Sequence, residues 1–226
     1  MGFRFSSARA VFREEFEQAL VAEYLPAKGF FVEVGAFHPV FLSQTWMLEQ
    51  RGWDGLLIEP IPAQAEHLRR ERRARVFQVA CGNPQQHGFI QKMSVRGALS
   101  SFRVDRGSDI DVRVVTLDSV LAEAHMQRID FLSVDVEGFE LDVLQGFSFE
   151  RYRPGLIVLE DFAENLAKHR FMRARRYKRV RRTGNNSWYI PEEVRFSLSL
   201  FGKWQLTRKY YLALPIRWMK KRIRGR

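Results

Sequence analysis

Six short apolar runs rich in Val, Ile, Leu and Phe, at 30–35, 55–59, 75–80, 111–115, 129–135 and 155–160, constrain this chain most, because helix-capable segments lie between several of them. Runs of this length read as buried strands. The helical segments are 43–51, closed by Gly52; 62–73, opened by Pro62; 117–125, after Thr116; 138–145, closed by Gly146; and 162–175. Strand and helix in alternation specify an α/β fold, a mostly parallel sheet covered on both faces. Residues 84–107 break the rhythm with glycines, Ser100, Ser101 and one alternating run, 88–95, and read as an insertion or antiparallel excursion. Tyr177–Arg182 and Ser187–Ile190 flank a Thr183-Gly184-Asn185-Asn186 turn, a hairpin signal that finishes the sheet antiparallel.

Ahead of the first run, Phe12, Phe16, Ala19, Leu20 and Tyr24 recur at helical spacing within 8–25, which predicts an amphipathic leading helix ended by Pro26 and Gly29. The expected organisation is an N-terminal helix over 1–28, a main domain over 29–190 and a basic, aromatic appendix over 191–226. At 226 residues, 46% of them apolar, the chain closes one sizeable core rather than two. The lone cysteine, Cys81, excludes an intramolecular disulfide and a cysteine-ligated zinc cluster, and fits a reducing compartment, the cytosol by default. No run approaches a membrane span, since Glu33 interrupts the best candidate, Gly29 to Phe37. Gly2 and Ser6 match an N-terminal acylation pattern that chance produces often.

The formal charge of +11 is unevenly placed. Residues 1–167 carry 18 Lys+Arg against 24 Asp+Glu, residues 168–182 carry nine basic and no acidic residues, and residues 191–226 carry ten basic and two acidic. An acidic body with basic C-terminal stretches differs from a uniformly basic nucleic-acid binder. In the appendix, aromatic and aliphatic residues such as Tyr210, Tyr211, Leu212 and Trp218 mix with Arg208, Lys209, Arg217 and Lys220–Arg222. Such a segment either lies on an anionic membrane surface or packs on the domain and ends in a solvated basic tail.

The first strand, Phe30 to Val34, contains Glu33 and runs into the turn Gly35-Ala36-Phe37-His38-Pro39. In an open parallel sheet, ligands bind beyond the carboxyl ends of the strands. A dinucleotide fingerprint needs glycines at the positions of Gly35, Phe37 and Val40, and two of the three are missing. A ligand without phosphates is easier to seat, with Glu33 holding an amino group and Gly35 and Ala36 leaving room. The second strand ends in Glu59-Pro60, where a carboxylate can accept both hydroxyls of a ribose. Together these two strand ends describe a nucleoside-containing ligand.

Ile129-Asp130-Phe131-Leu132-Ser133-Val134-Asp135-Val136-Glu137-Gly138-Phe139-Glu140 is the most informative stretch. A strand continuing to Glu137 would project Asp135 and Glu137 on one face, and Glu140 would open the next helix at its anion-favouring end. Such a trio either accepts a proton from a hydroxyl or holds a hard cation such as Mg²⁺. His38 competes as the base because it titrates near neutrality. Glu160-Asp161, at the next strand end, reads as shaping the site.

These residues resemble the FkbM-type S-adenosylmethionine-dependent methyltransferases. The resemblance spans about Gly29 to Ile190 and rests on Val32-Glu33-Val34-Gly35-Ala36, Ser43-Gln44-Thr45, Gly52 to Pro60, Thr116-Leu117-Asp118, and above all Asp135-Val136-Glu137-Gly138-Phe139-Glu140 with Leu144-Gln145-Gly146. It implies a class I methyltransferase (Rossmann-like) fold with a seven-stranded sheet, and methyl transfer to a hydroxyl of a sugar, glycan, lipid-linked or natural-product acceptor. It also implies that Glu33, Gly35 and Ala36 line the methionine end of the cofactor, that Glu59 takes the ribose, and that Ala80, Cys81 and Asn83 approach the adenine. Asp135 and Glu137 would lie near the transferring methyl. The departure is Phe37-His38-Pro39, where relatives carry a polar residue and a glycine. Two other classes stay open: an RNA methyltransferase using the basic stretches as a phosphate track, and a non-catalytic cofactor-binding adaptor.

Overall fold

The computed structural model describes residues 6–7, 9–95, 108–162, 166–213, 215 and 219. The N-terminal segment contains β1 (Ser6–Ser7), β2 (Val11–Phe12), a 3-10 turn at Glu14–Phe16 and α1 (Glu17–Tyr24). The expected helix over 8–25 is therefore shorter. Its predicted apolar face also fails, because Phe16 is exposed while Glu17 is buried with Val21, Ala22 and Tyr24. Burial of Glu17 is the reason: its carboxylate accepts from Thr183, from Asn186 (2.7 Å) and from the Trp188 indole (3.3 Å), and stitches α1 to the far hairpin.

The alternating body follows: β3 (Phe30–Val34), α2 (Trp46–Gln50), β4 (Asp54–Ile58), α3 (Pro62–Glu71) and β5 (Arg75–Phe77). Then come β6 (Ala80–Cys81), β7 (Ile90–Val95), β8 (Ser108–Val115) and α4 (Leu117–Glu123). After β9 (Phe131–Val134) the chain forms α5 (Glu140–Gln145), α6 (Phe149–Tyr152), β10 (Leu156–Glu160) and α7 (Ala167–Ala174). It closes with β11 (Tyr177–Thr183), β12 (Asn186–Pro191), β13 (Ser197–Leu198), α8 (Leu200–Thr207) and a π-type turn, Arg208–Leu212.

The fold is α/β, built on a mixed eight-stranded sheet in the order β2-β11-β12-β10-β9-β3-β4-β5. β12 runs antiparallel to both of its neighbours, and the other pairings are parallel. The sheet has one strand more than expected because Val11 and Phe12 pair with Arg182 and Thr183 at its edge. The run at 111–115 is a strand, but it lies outside this sheet: β8 pairs antiparallel with β7 and parallel with β6. The antiparallel excursion expected over 84–107 is thus seen in β7, while Ser100 and Ser101 lie outside the described residues.

Period-two alternation divides the core. Val32 and Val34 pack with Leu117, Val120, Leu121, Val143 and Leu144 on one face. Phe31 packs with Val21, Tyr24, Leu48 and Leu68 on the other. Helices cover both faces, so the carboxyl ends of the central strands are left as the open edge.

Candidate active site

A cavity of about 360 Å³ opens at that edge, over the ends of β3, β4, β9 and β10. Its size is that of a small-molecule pocket. Of the candidate site residues, Glu33, Gly35, Ala36, Glu59, Ala80, Cys81, Asp135 and Glu137 line it, whereas His38, Asn83 and Glu140 do not. Glu160, expected to shape the site, also lines it, and Glu14, Phe162 and Asn185 join from segments the motifs had not drawn in.

Gly35 is the tightest point. It has φ +85°, and a Cβ there would stand 1.8 Å from the Asp135 carbonyl oxygen. The turn after β3 and the segment after β9 touch backbone to backbone, which only glycine permits. Phe37 follows at φ 43°, and its amide donates to Glu59 (2.9 Å). The other Glu59 oxygen accepts from the Ile61 amide (2.9 Å), which leaves lone pairs on both oxygens for a ligand. Burial raises the pKa of Glu59.

Glu33 is held from the opposite side. Its carboxylate accepts from the Ser43 hydroxyl (3.0 Å), the Gln44 amide (2.6 Å) and the Thr45 hydroxyl (2.5 Å). Burial raises its pKa, opposed by Arg72 and these hydrogen bonds. Arg72, itself buried, donates to the Pro39 carbonyl (3.0 Å), Ser43 (3.1 Å) and Thr45 (2.9 Å), and pairs with Glu49 at 3.2 Å. Glu33 is thus largely committed to fixing the loop 39–45. It reaches the cavity as a wall.

The acidic trio differs from its expected form. β9 ends at Val134, and the chain turns through Glu137 (φ 52°) and Gly138 (φ +104°) before α5. Asp135 and Glu137 still converge, joined by Glu160 in place of Glu140, with one carboxylate oxygen of each within 4.8 Å of the others. Glu140 is spent elsewhere: one oxygen accepts from the Gly138 (2.8 Å) and Val136 (3.3 Å) amides, and the other pairs with Lys168. A hard cation at this edge would be held by Asp135, Glu137 and Glu160.

Burial, then repulsion from Glu137 and Glu140, pushes Asp135 up to about 7. Burial and the carboxylates of Asp135 and Glu140 push Glu160 up as well. Burial and Glu140 also raise Glu137. Carboxylates whose environments separate their pKa values are suited to dividing proton-holding from proton-accepting work.

Two expected participants are engaged away from the cavity. His38 Nδ1 accepts from the Val40 (3.2 Å) and Phe41 (3.0 Å) amides, so it braces its own turn. Asn83 caps the turn Pro84–Gln86 and donates to Asp142 (2.6 Å). Cys81 lines the cavity as a buried thiol raised to about 12 by desolvation, hence a small apolar wall and not a nucleophile.

The decisive comparison is with family models: the methyltransferase FkbM domain matches residues 33–179. The chain belongs to the FkbM methyltransferase family. No curated protein matches it. The FkbM match takes in the strand ends carrying Glu33, Glu59, Asp135, Glu137 and Glu160, and supports methyl transfer as the reaction class of the chain. It stops within β11, so the strand β12, the helix α8 and the N-terminal Glu14 that meets the cavity lie outside the FkbM region.

Proposed function

We propose that this protein is an S-adenosylmethionine-dependent O-methyltransferase acting on an uncharged hydroxyl of a small acceptor with an apolar body. One observation carries the reading: the described lining holds Glu14, Glu33, Glu59, Asp135, Glu137 and Glu160 and no Lys, Arg or His. A cavity with that field favours a cation and opposes phosphate. The strand order β5-β4-β3-β9-β10-β12-β11, with β12 antiparallel, supports a class I methyltransferase sheet to which β2 adds an edge.

The residues present fit the cofactor. Gly35 lets the turn after β3 close onto the Asp135 backbone in the cavity wall, Glu59 keeps acceptor lone pairs for ribose hydroxyls, and Ile58, Ile61, Val79, Ala80 and Met93 supply an apolar wall for a base. When bound, S-adenosylmethionine supplies an electrophilic methyl group on a cationic sulfur. Asp135 takes the acceptor hydroxyl's proton on a carboxylate oxygen as the new carbon–oxygen bond forms. Glu160 shapes the acidic wall beside Asp135, and Glu137 holds the acceptor hydroxyl against Asp135. Alignment supplies much of the acceleration.

The rim supports the acceptor class. Phe41, Leu42 and Phe162 reach the cavity while remaining exposed. The basic stretch 168–182 does not form a free phosphate track, because much of it is used internally. Lys168 binds Glu140 and the Glu160 carbonyl, Lys178 binds the carbonyls of Glu192 and Val194, and Arg182 binds the Asp161 carbonyl and Tyr210. Labelled methyl transfer from S-adenosylmethionine to a panel of neutral glycosides, sterols and macrocyclic alcohols, with their phosphorylated counterparts and RNA, tests the reading. Transfer to neutral members, at least tenfold above phosphorylated ones, is expected. Preferential transfer to RNA or a phosphorylated acceptor would overturn it.

A further inference from the structure

α8 is apolar on two sides. Inward, Gly202, Leu206 and Tyr210 are buried, and Leu206 and Tyr210 pack with Ala10. Outward, Leu200 is 85% exposed, Phe201 52%, Trp204 49% and Leu212 62%, with Tyr211 beside them. The Phe201 and Trp204 rings stack at 5.9 Å, and the Arg208 guanidinium lies 5.1 Å from the Trp204 ring centroid. Inward packing already accounts for the helix, so the outward stripe is surplus to folding. Large apolar groups gathered on one exposed face mark an interaction surface.

We propose that this outward face is a docking surface for an anionic membrane. Charge selects the occupant: from Arg195 to Arg226 the chain carries ten basic and no acidic residues. Trp and Tyr settle at the headgroup level, Leu and Phe enter the acyl boundary, and Lys and Arg are drawn to an anionic surface. No described helix is long and apolar enough to span the bilayer, so the helix lies on the surface. A protein partner would be expected to offer acidic groups of fixed geometry, whereas a stripe of exposed rings in a segment with basic and no acidic residues needs only a fluid anionic plane.

The surface is tied to the cavity edge. The Tyr210 hydroxyl accepts from Arg182 (2.7 Å) and bonds Ser187, which donates to Asp161 (3.1 Å), the neighbour of Glu160. A membrane-borne acceptor would then meet the enzyme beside the strand end that carries Glu160. Docking itself does not depend on the reaction assigned to the cavity.

The full-length protein is mixed with vesicles of phosphatidylcholine alone or with one-fifth phosphatidylserine, and floated on a density gradient. Co-flotation with the anionic vesicles alone is expected, falling at least tenfold in 1 M salt, where screening contracts to about 3 Å. The triple variant Leu200→Ser, Phe201→Ser, Trp204→Ser should lose at least tenfold in binding with an unchanged melting temperature. Failure of the wild type to float with anionic vesicles overturns the proposal, as does undiminished flotation of a folded triple variant. A wild-type dimer that the triple variant converts to a monomer, without flotation, would assign the face to self-association instead.

Discussion

Asp135→Asn is expected to lower methyl transfer by about 10²–10⁴-fold, the usual worth of a positioned general base, while leaving cofactor affinity within a few-fold. The carboxylate is nearly isosteric with the amide, and no described hydrogen bond depends on its charge, so the site keeps its shape and loses its proton acceptor. Wild-type activity should rise with pH through about 7 as Asp135 ionises, and that limb should vanish in the variant. The same shift has a signature in stability. The folded carboxyl keeps its proton to about 7, whereas an unfolded Asp loses it near pH 3.9, so the cofactor-free protein takes up a proton on folding between those values. Stability from this group is present below pH 3.9 and is lost as pH rises to about 7. Asp135→Asn should therefore gain stability over the wild type at pH 8 and lose that advantage at pH 4. Undiminished transfer by the variant would remove Asp135 as the base.

Arg72→Met is expected to cost about 3–5 kcal/mol of folding stability, the penalty for stranding the partners of a buried cation. The Arg72 and Glu49 side chains are 1% and 3% exposed. Glu49 also accepts from the Arg73 and Ala74 amides (3.1 Å each), so it cannot turn out to water without unfastening the end of α3. The loss would also free the Pro39 carbonyl and the Ser43 and Thr45 hydroxyls, and with them the clasp on Glu33. Urea denaturation reads the cost, and at about 2–4 °C per kcal/mol the melting temperature should drop by roughly 6–20 °C. Arg72→Lys should recover little, since one ammonium cannot face Glu49 and bind the loop 39–45 together. Adding Glu49→Gln to Arg72→Met should recover part, because the carboxylate paired with Arg72 is then gone while Glu33 still lacks its cation.

The order of strands and helices was legible because burial on both faces writes apolar runs and helical gaps directly into the chain. The hairpin at Gly184-Asn185 and the glycine turn after the first strand were legible through turn chemistry, whereas the approach of Gly35 to the Asp135 carbonyl was not. What escaped was tertiary. Glu17 sits in a helical pattern as an ordinary polar residue, yet it is buried because the hairpin supplies three donors. Arg72 is one of four arginines in the stretch Arg69 to Arg73, with nothing in sequence to single it out. Glu140 and Glu160 exchange roles because the turn at Glu137-Gly138 folds Glu140 back onto the Val136 and Gly138 amides, whereas pairing with Asn186 of β12 holds Glu160 at the strand end beside the cavity. The nine basic residues of 168–182 looked like a surface track, and strand β11 instead turns Arg181 and Arg182 into the core.

The central claim is that this acidic, glycine-lined cavity holds the cofactor with Glu59 on its ribose. Titration calorimetry with S-adenosylhomocysteine, on the wild type and on Glu59→Gln, addresses it directly. The account predicts one binding site per chain and an affinity at least tenfold weaker in Glu59→Gln, about 1.4 kcal/mol, with the variant still folded. No binding to the wild type, or equal affinity in the folded variant, would contradict it.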